Sequence, residues 1–326
     1  MKLQERAEAR VAEGDWPALH ELLRRQRRAV LLADPSLAYR YGEALYHTGR
    51  MEELAGYAEE YEASARRTTD PGGTMRALNL GGIAAFELGD MRAAREKFDV
   101  LMELAEAESD EDMLARAANN LGAIANLRGR RHEALAYYYL ALPLYQRLDR
   151  PRGLAQTHHN LGLSFRDLGN LAESVASYST AIVLAESISY RPLVAMSTVG
   201  RAEVELRRGD VELGWELADR GLALARETAD PISEAEALRV RGLVLAEQET
   251  EGGRAYADLE AGLRLAVDTR NALLEAEIER DIGRLEQGRG RRDEALERLG
   301  VALQRFESLG AEAEVRALRA EIDALV

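Results

Sequence analysis

The sequence contains no cysteine, which removes disulfides, thiolate catalysis and cysteine-ligated zinc together. Lysine is nearly absent too. Lys2 and Lys97 are the only two, so arginine carries almost all the positive charge, as G+C-rich coding or a need for fork-shaped carboxylate recognition would produce. Aromatic residues make up only 6% of the 326, and runs of strand-forming residues are missing. No apolar stretch approaches the ~20 residues that span a bilayer, and Met1-Lys2-Leu3-Gln4-Glu5-Arg6 is charged from the start. The chain therefore reads as soluble and cytoplasmic. A net charge of −14 repels nucleic acid and anionic membranes, so neither is an expected partner.

What remains is 46% hydrophobic and rich in Ala, Leu, Arg and Glu, a composition of long helices packed through small residues. Short turns recur at Gly14-Asp15, Gly49-Arg50, Gly89-Asp90, Gly129-Arg130, Gly169-Asn170, Gly209-Asp210 and Gly290-Arg291, and from Gly49 to Gly209 each step is 40 residues. Pro35, Pro71, Pro151, Pro192 and Pro231 mark the opposite phase of the same lattice. Each period thus holds two helices, and the chain is an array of one repeated unit.

The clearest unit runs from Asp112 to Leu148. Its first helix carries Leu114, Ala117, Ala118, Leu121, Gly122 and Ala125 at helical spacing and stops at Gly129, where positive φ costs little. Its second carries Ala134, Tyr138, Ala141 and Tyr145 on one stripe, so the two pack as an antiparallel hairpin. Counted from each turn glycine, the fifth residue is small (Ala94, Ala134, Ser174, Gly214, Ala295) and the ninth is large in most units (Phe98, Tyr138, Tyr178, Leu299). The twelfth is small again at Ala141, Ala181, Gly221 and Ala302. Such alternation lets backbones approach while filling the space between them.

Ala255, Leu259 and Gly262 keep the period if a longer turn lies near Thr250, and Ala7 and Ala9 begin a short first unit, giving eight helical pairs. Leu318, Ile322 and Leu325 then form one more amphipathic helix that covers the last apolar face. The expected division is an array over residues 1–310, with turns near 14, 49, 89, 129, 169, 209, 250 and 290, and a capping helix over 311–326. Asp15, Asp90, Asn170 and Asp210 are expected N-caps, with Asn170 and Glu173 set as a capping box. Pro143 predicts a kink near Ala141 to Leu144.

Asn120-Leu121-Gly122, then Gly129, Ala134, Tyr138 and Ala141, resembles the tetratricopeptide repeat (TPR) signature, and Asn160-Leu161-Gly162, Gly169, Tyr178 and Ala181 repeat it. Weaker matches at Gly42, Gly82, Gly242 and Gly283 extend the resemblance over almost the whole chain. The 40-residue period is similar to that of the longer repeats of Pins/LGN adaptors, kinesin light chains and bacterial MalT and Rap-type regulators. The resemblance implies an all-α, right-handed α-solenoid of about eight TPR helix-turn-helix repeats with a C-terminal capping helix. It also implies that the first helices of successive pairs line a concave binding groove.

On that reading Asn79, Asn119, Asn120, His159 and Asn160 point inward, and Arg76, Arg116, Gln156 and Arg166 share their face. A side-chain amide offers a donor and an acceptor, so such a ladder pairs either with an extended peptide backbone or with neighbouring hairpins. The arginines suit the carboxylates of a bound peptide or internal ion pairs. His20, His47, His132, His158 and His159 show no metal-binding spacing, and neither a catalytic pair nor a phosphate loop is detectable. The run Arg24, Arg25, Arg27, Arg28 and the acidic stretch Glu106 to Asp112 read as solvated surface. The expectation is a non-enzymatic scaffold without cofactor or metal that holds a protein or peptide segment. The alternative is a ligand- or peptide-sensing regulatory module.

Overall fold

The structure, a computed structural model, describes residues 2–248 and 253–325 and holds eighteen α-helices and no strand among them. It divides between Leu121 and Gly122 into two compact units. In the first, α1 (Leu3–Glu13) pairs with α2 (Trp16–Arg24), the five-residue α3 (Arg28–Leu32) follows, α4 (Pro35–His47) pairs with α5 (Met51–Arg67), and α6 (Pro71–Glu87) with α7 (Met91–Glu108). α8 (Glu111–Leu127) crosses the division and leads through Gly129 into α9 (Arg131–Arg147). The second unit continues with the pairs α10 (Pro151–Asp167) and α11 (Leu171–Ser187), α12 (Arg191–Arg207) and α13 (Val211–Glu227), α14 (Pro231–Gln248) and α15 (Gly253–Asp268), and α16 (Ala272–Gly288) and α17 (Arg292–Ser308). α18 (Glu312–Leu325) stands alone against α17. Eight pairs and a terminal helix follow the glycine lattice, which did not signal α3. The turn expected near Thr250 lies outside the described residues.

The glycine turns among the described residues close the same way. Gly129 sits at φ 78°, its N–H donates to the Asn126 carbonyl at 2.9 Å, and the Arg130 N–H donates to the Ala125 carbonyl at 2.8 Å, a Schellman closure. The connections between pairs repeat this geometry without glycine: Thr69, Ser109, Asp149, Ser189 and Ala229 all have φ between 50° and 56°. A second 40-residue ladder therefore runs through residues with no shared side-chain type. Four first helices start on proline, at Pro35, Pro71, Pro151 and Pro231, where the missing N–H has no helical partner to lose. Asp34, Asp70 and Asp230 cap three of them. Asp15, Asp90 and Asp210 cap their helices as well. Asn170 has similar φ and ψ but makes no capping bond, whereas Asn271 does. α9 runs through Pro143 as one helix.

Packing explains the small and large alternation. Tyr138 and Tyr178 are 1% exposed and Ala141 and Ala181 fully buried. A Cβ on Gly162 would lie 2.8 Å from the Tyr178 ring, and one on Gly200 in the next pair 2.6 Å from it. One tyrosine thus welds its own hairpin to the next, and only a bare backbone admits it on both sides. In the first unit Leu19, Leu23, Leu45, Tyr57 and Tyr61 form the corresponding core.

Candidate functional site

In the first unit α6 and α8 carry Arg76, Asn79, Arg116, Asn119 and Asn120. Asn79 is buried at 3% exposure and its Oδ1 accepts from Asn120 Nδ2 at 3.4 Å, so two rungs of the amide ladder meet each other between neighbouring pairs. Asn119 and Asn120 remain half-buried. Arg116 Nε donates to Asp112 Oδ2 at 2.8 Å, one turn earlier on α8. Arg76 lies beside the phenol of Tyr61, whose titration burial pushes up and Arg76 pulls back.

In the second unit α10 carries Gln156, His159, Asn160 and Arg166. Gln156 and Asn160 are half-buried. His159 Nδ1 lies 3.0 Å from Ser197 Oγ on α12, and its ring meets Tyr178 edge-on at 5.4 Å. Burial, with Arg166 adding to it, lowers the imidazole to about 4, so His159 is neutral at pH 7. Arg166 is 6% exposed and engaged inside the molecule: it pairs with Glu203 at 2.7 Å and Asp167 at 3.0 Å.

Arg166 opens a ladder of alternating charge across four successive first helices. Glu203 on α12 takes Arg166 and then Arg239 of α14, at 2.6 Å, and Arg239 reaches Asp281 of α16 at 2.7 Å. Arg280 closes on Asp281 at 3.0 Å, and Arg207 on Glu203 at 2.7 Å. Burial by itself would raise the Glu203 carboxyl, but Arg166, Arg239, Arg207 and Arg280 together hold it well below the usual range. Asp281 is held down by Arg280 and Arg239 against the same opposing burial. Beside them burial pushes Glu236 up to about 7 although Arg239 opposes it, and Glu277 is raised for the same reason. Sequence reasoning found Arg166 but missed Glu203, Arg239 and Asp281. They fall 37, 36 and 42 residues apart rather than 40, so a search in strict register passes them by. The available signal was the alternation of charge near the C-terminal half of each first helix.

The ladder forms one wall of a cavity of about 500 Å3 between α12, α14 and α16, whose other wall is apolar: Leu206, Leu243, Leu259 and Leu285. At the far end of the same unit α18 is tied back to the start of α9. Arg131 donates to Glu314 at 2.9 Å and pairs with Asp167 at 3.2 Å. Among the described residues no group of three or more His, Asp or Glu is placed to hold a metal ion, and no helix is long and apolar enough to cross a membrane.

Residues 113–187 match the tetratricopeptide repeat family model. No curated protein matches the chain in sequence. Among solved structures, a Rap protein complexed with competence and sporulation factor is similar with a TM-score of 0.66 at 12% identity, over 99% of this chain and 94% of that one. The Rap conjugation gene regulator of the plasmid pLS20 in complex with the Phr* peptide gives 0.68 at 15% identity, over 85% and 75%. Aspartyl phosphate phosphatase F from Bacillus subtilis gives 0.67 at 12%, over 91% and 75%. At these identities the likeness is one of fold: a helical-repeat solenoid.

Proposed function

We propose that this chain, a tetratricopeptide-repeat protein, is a non-enzymatic interaction module that binds a peptide segment of a partner protein along its first helices. The observation that carries the reading is the same in each unit taken by itself: half-buried amides on a first helix, Asn119 and Asn120 of α8 in the first unit and Gln156 and Asn160 of α10 in the second. Each keeps surface that a bound backbone can reach, and an amide serves both polarities of that backbone. Asn79 is excepted, since it is buried at 3% exposure and leaves no surface for a ligand. Arg166 is excepted as a direct contact, since Glu203 and Asp167 hold it. Arg76 and Arg116 accompany the amides of the first unit and His159 those of the second. The Rap protein and the pLS20 regulator, similar in fold, are described as complexes with competence and sporulation factor and with the Phr* peptide, which supports a peptide as ligand.

Losing a hydrogen bond to a bound backbone costs roughly 1–3 kcal/mol per group left unpaired. Asn120→Ala combined with Asn160→Ala is expected to reduce capture of the partner by affinity pull-down while helicity stays unchanged, and the exposed Glu173→Ala on α11 is expected to leave both alone. Full capture by the double variant, accompanied by a lower melting temperature, would make the amides structural and remove the proposed face.

The buried charge ladder favours a second reading, a peptide-sensing regulatory module. Arg166, Glu203, Arg239 and Asp281 join the first helices of four successive pairs, and on this second reading a ligand that shifts one pair shifts its neighbours through them. Small-angle scattering of free and peptide-bound protein separates the two: a changed radius of gyration supports the sensor, an unchanged one the scaffold.

A further inference from the structure

We propose that the outward faces of α9 and α11 form a surface on which a second copy of this chain docks, about a two-fold axis along the helices that lays α9 of one copy on α11 of the other. The surface belongs to second helices and stands independently of the amides on the first helices.

The argument starts from missing charge. In a chain of which 31% is charged, α9 carries no charged residue from Ala134 to Gln146, and α11 none from Ser174 to Ala185. Burial accounts for only one side of each helix. Tyr139 stays 55% exposed and Val183 65%, and Ala136, Leu140, Pro143 and Thr180 are exposed beside them. The same positions on α13, two periods after α9, hold Glu216, Asp219 and Arg220, and on α7, one period before it, Glu96, Asp99 and Glu103. Charge is the ordinary state of that side of a second helix, and α9 and α11 depart from it together. Both helices pack on α10 and bury the opposite stripe, Tyr138 and Ala141 on α9 and Tyr178 and Ala181 on α11, which sets their bare faces side by side on the second unit. A contiguous uncharged face of this kind marks an interaction surface.

Size and charge select the occupant. Each helix has 17 residues, so the pair is about 25 Å long and, at a usual spacing of about 8–10 Å, presents roughly 500 Å2. Doubled across a two-fold this is about 1,000 Å2, the lower bound of a specific interface and enough for a weak dimer. Copies that carry −14 each repel, and they approach at least cost where the surface is uncharged. The ends of the helices decide the arrangement. Near its end α9 carries Arg147 and α11 Glu186, both exposed; at the start of α9 Arg130 offsets Glu133 at 3.6 Å, whereas Glu173 leaves the start of α11 negative. A two-fold along these helices sets Arg147 against Glu186 of the other copy, twice over. A two-fold across them sets Glu186 against Glu173 of the other copy, which repels. Glu186 also meets Arg220 of its own chain at 3.4 Å, and a carboxylate with two oxygens accepts from both guanidiniums. Apolar area supplies the strength of the contact, and charge its register.

Sedimentation velocity of the full chain over a range of concentrations tests this. The expected result is a reversible shift from the 36.1 kDa monomer to a dimer, with a dissociation constant of roughly 1–100 µM. Tyr139→Glu with Val183→Glu should weaken association by about tenfold or more at an unchanged melting temperature of the dilute protein, since both side chains are exposed. Should that variant melt early, Thr180→Arg on the same face carries the same expectation. Arg147→Glu alone and Glu186→Arg alone should each weaken association by about tenfold. An equimolar mixture of these two variants should dimerise like the wild type, because in the mixed dimer both contacts pair a base with an acid. A chain that stays monomeric throughout, or a dimer left intact by the variants at Tyr139, Val183 and Thr180, would overturn the inference. A mixture as weak as its components would overturn the laying of α9 on α11. A monomeric chain that holds a different protein through Tyr139 and Val183 would assign the face to that protein and overturn self-association.

Discussion

Arg239→Met tests whether the charge ladder holds the second unit together. The Arg239 side chain is 2% exposed, with Glu203 at 2.6 Å on one side, Asp281 at 2.7 Å on the other and Glu277 at 3.9 Å from Nε. Methionine fills similar volume and removes the charge, so the cost is that of leaving carboxylates buried beside an apolar group. Breaking a buried pair from one side typically costs about 3–5 kcal/mol. Glu203 keeps Arg166 and Arg207, and Asp281 keeps Arg280, which places the expectation at the lower end, about 3 kcal/mol. For a unit of this size that is a fall in melting temperature of roughly 6–12 °C. Because repeat arrays unfold piecewise, amide exchange is the second readout, with protection lost first in α12, α14 and α16. The loss should persist in 1 M salt, about 3 Å of screening length being of little effect on a pair removed from solvent. Arg284→Met, on the exposed pair with Glu321, is the control and should cost less than about 1 kcal/mol. A variant that melts like the wild type, or a loss erased by salt, would refute the claim that the ladder is buried and cohesive.

Gly162→Ala sets a methyl 2.8 Å from the Tyr178 ring and should cost about 1–3 kcal/mol in a urea melt; no change would mean that Tyr178 does not weld the two hairpins. Ala229→Gly relieves a left-handed residue at φ 50° and should be neutral to stabilising by up to about 1 kcal/mol, the relief exceeding glycine's extra unfolded freedom; a measured loss would argue against the turn. The folded His159 titrates near 4 against 6.5 for the free side chain, so its contribution is complete above pH 6.5 and is lost as pH falls towards 4. Glu236, raised to about 7, acts in the opposite sense: its contribution is present below pH 4.5 and is lost as pH rises through 7. Melting temperature against pH should therefore flatten on the acid side in His159→Gln and on the alkaline side in Glu236→Gln, and unchanged profiles would remove both assignments.

The array was legible because its punctuation is local. A glycine that must adopt φ near 75°, a small residue five places on and a large one at nine are each demanded by one hairpin, and Gly129, Ala134 and Tyr138 meet those demands within ten residues of sequence. The connections between pairs were less visible, since Thr69, Ser109, Asp149, Ser189 and Ala229 share a backbone angle and no side chain. The amide positions were chosen from the repeat register, and which of them bond inside the molecule was not legible there. That Asn120 spends a donor on Asn79, or that Arg166 turns inward to Glu203, depends on how far neighbouring pairs rotate against each other. The same rotation brings Glu203, Arg239 and Asp281 into line although their spacing departs from the period. Sequence by itself determined the repeat, because each unit's helices and turns answer to contacts a few residues away. Only the tertiary structure decided which charges are buried and which line a cavity, because those follow from the stacking of units, a sum of many small packing angles that no single unit encodes.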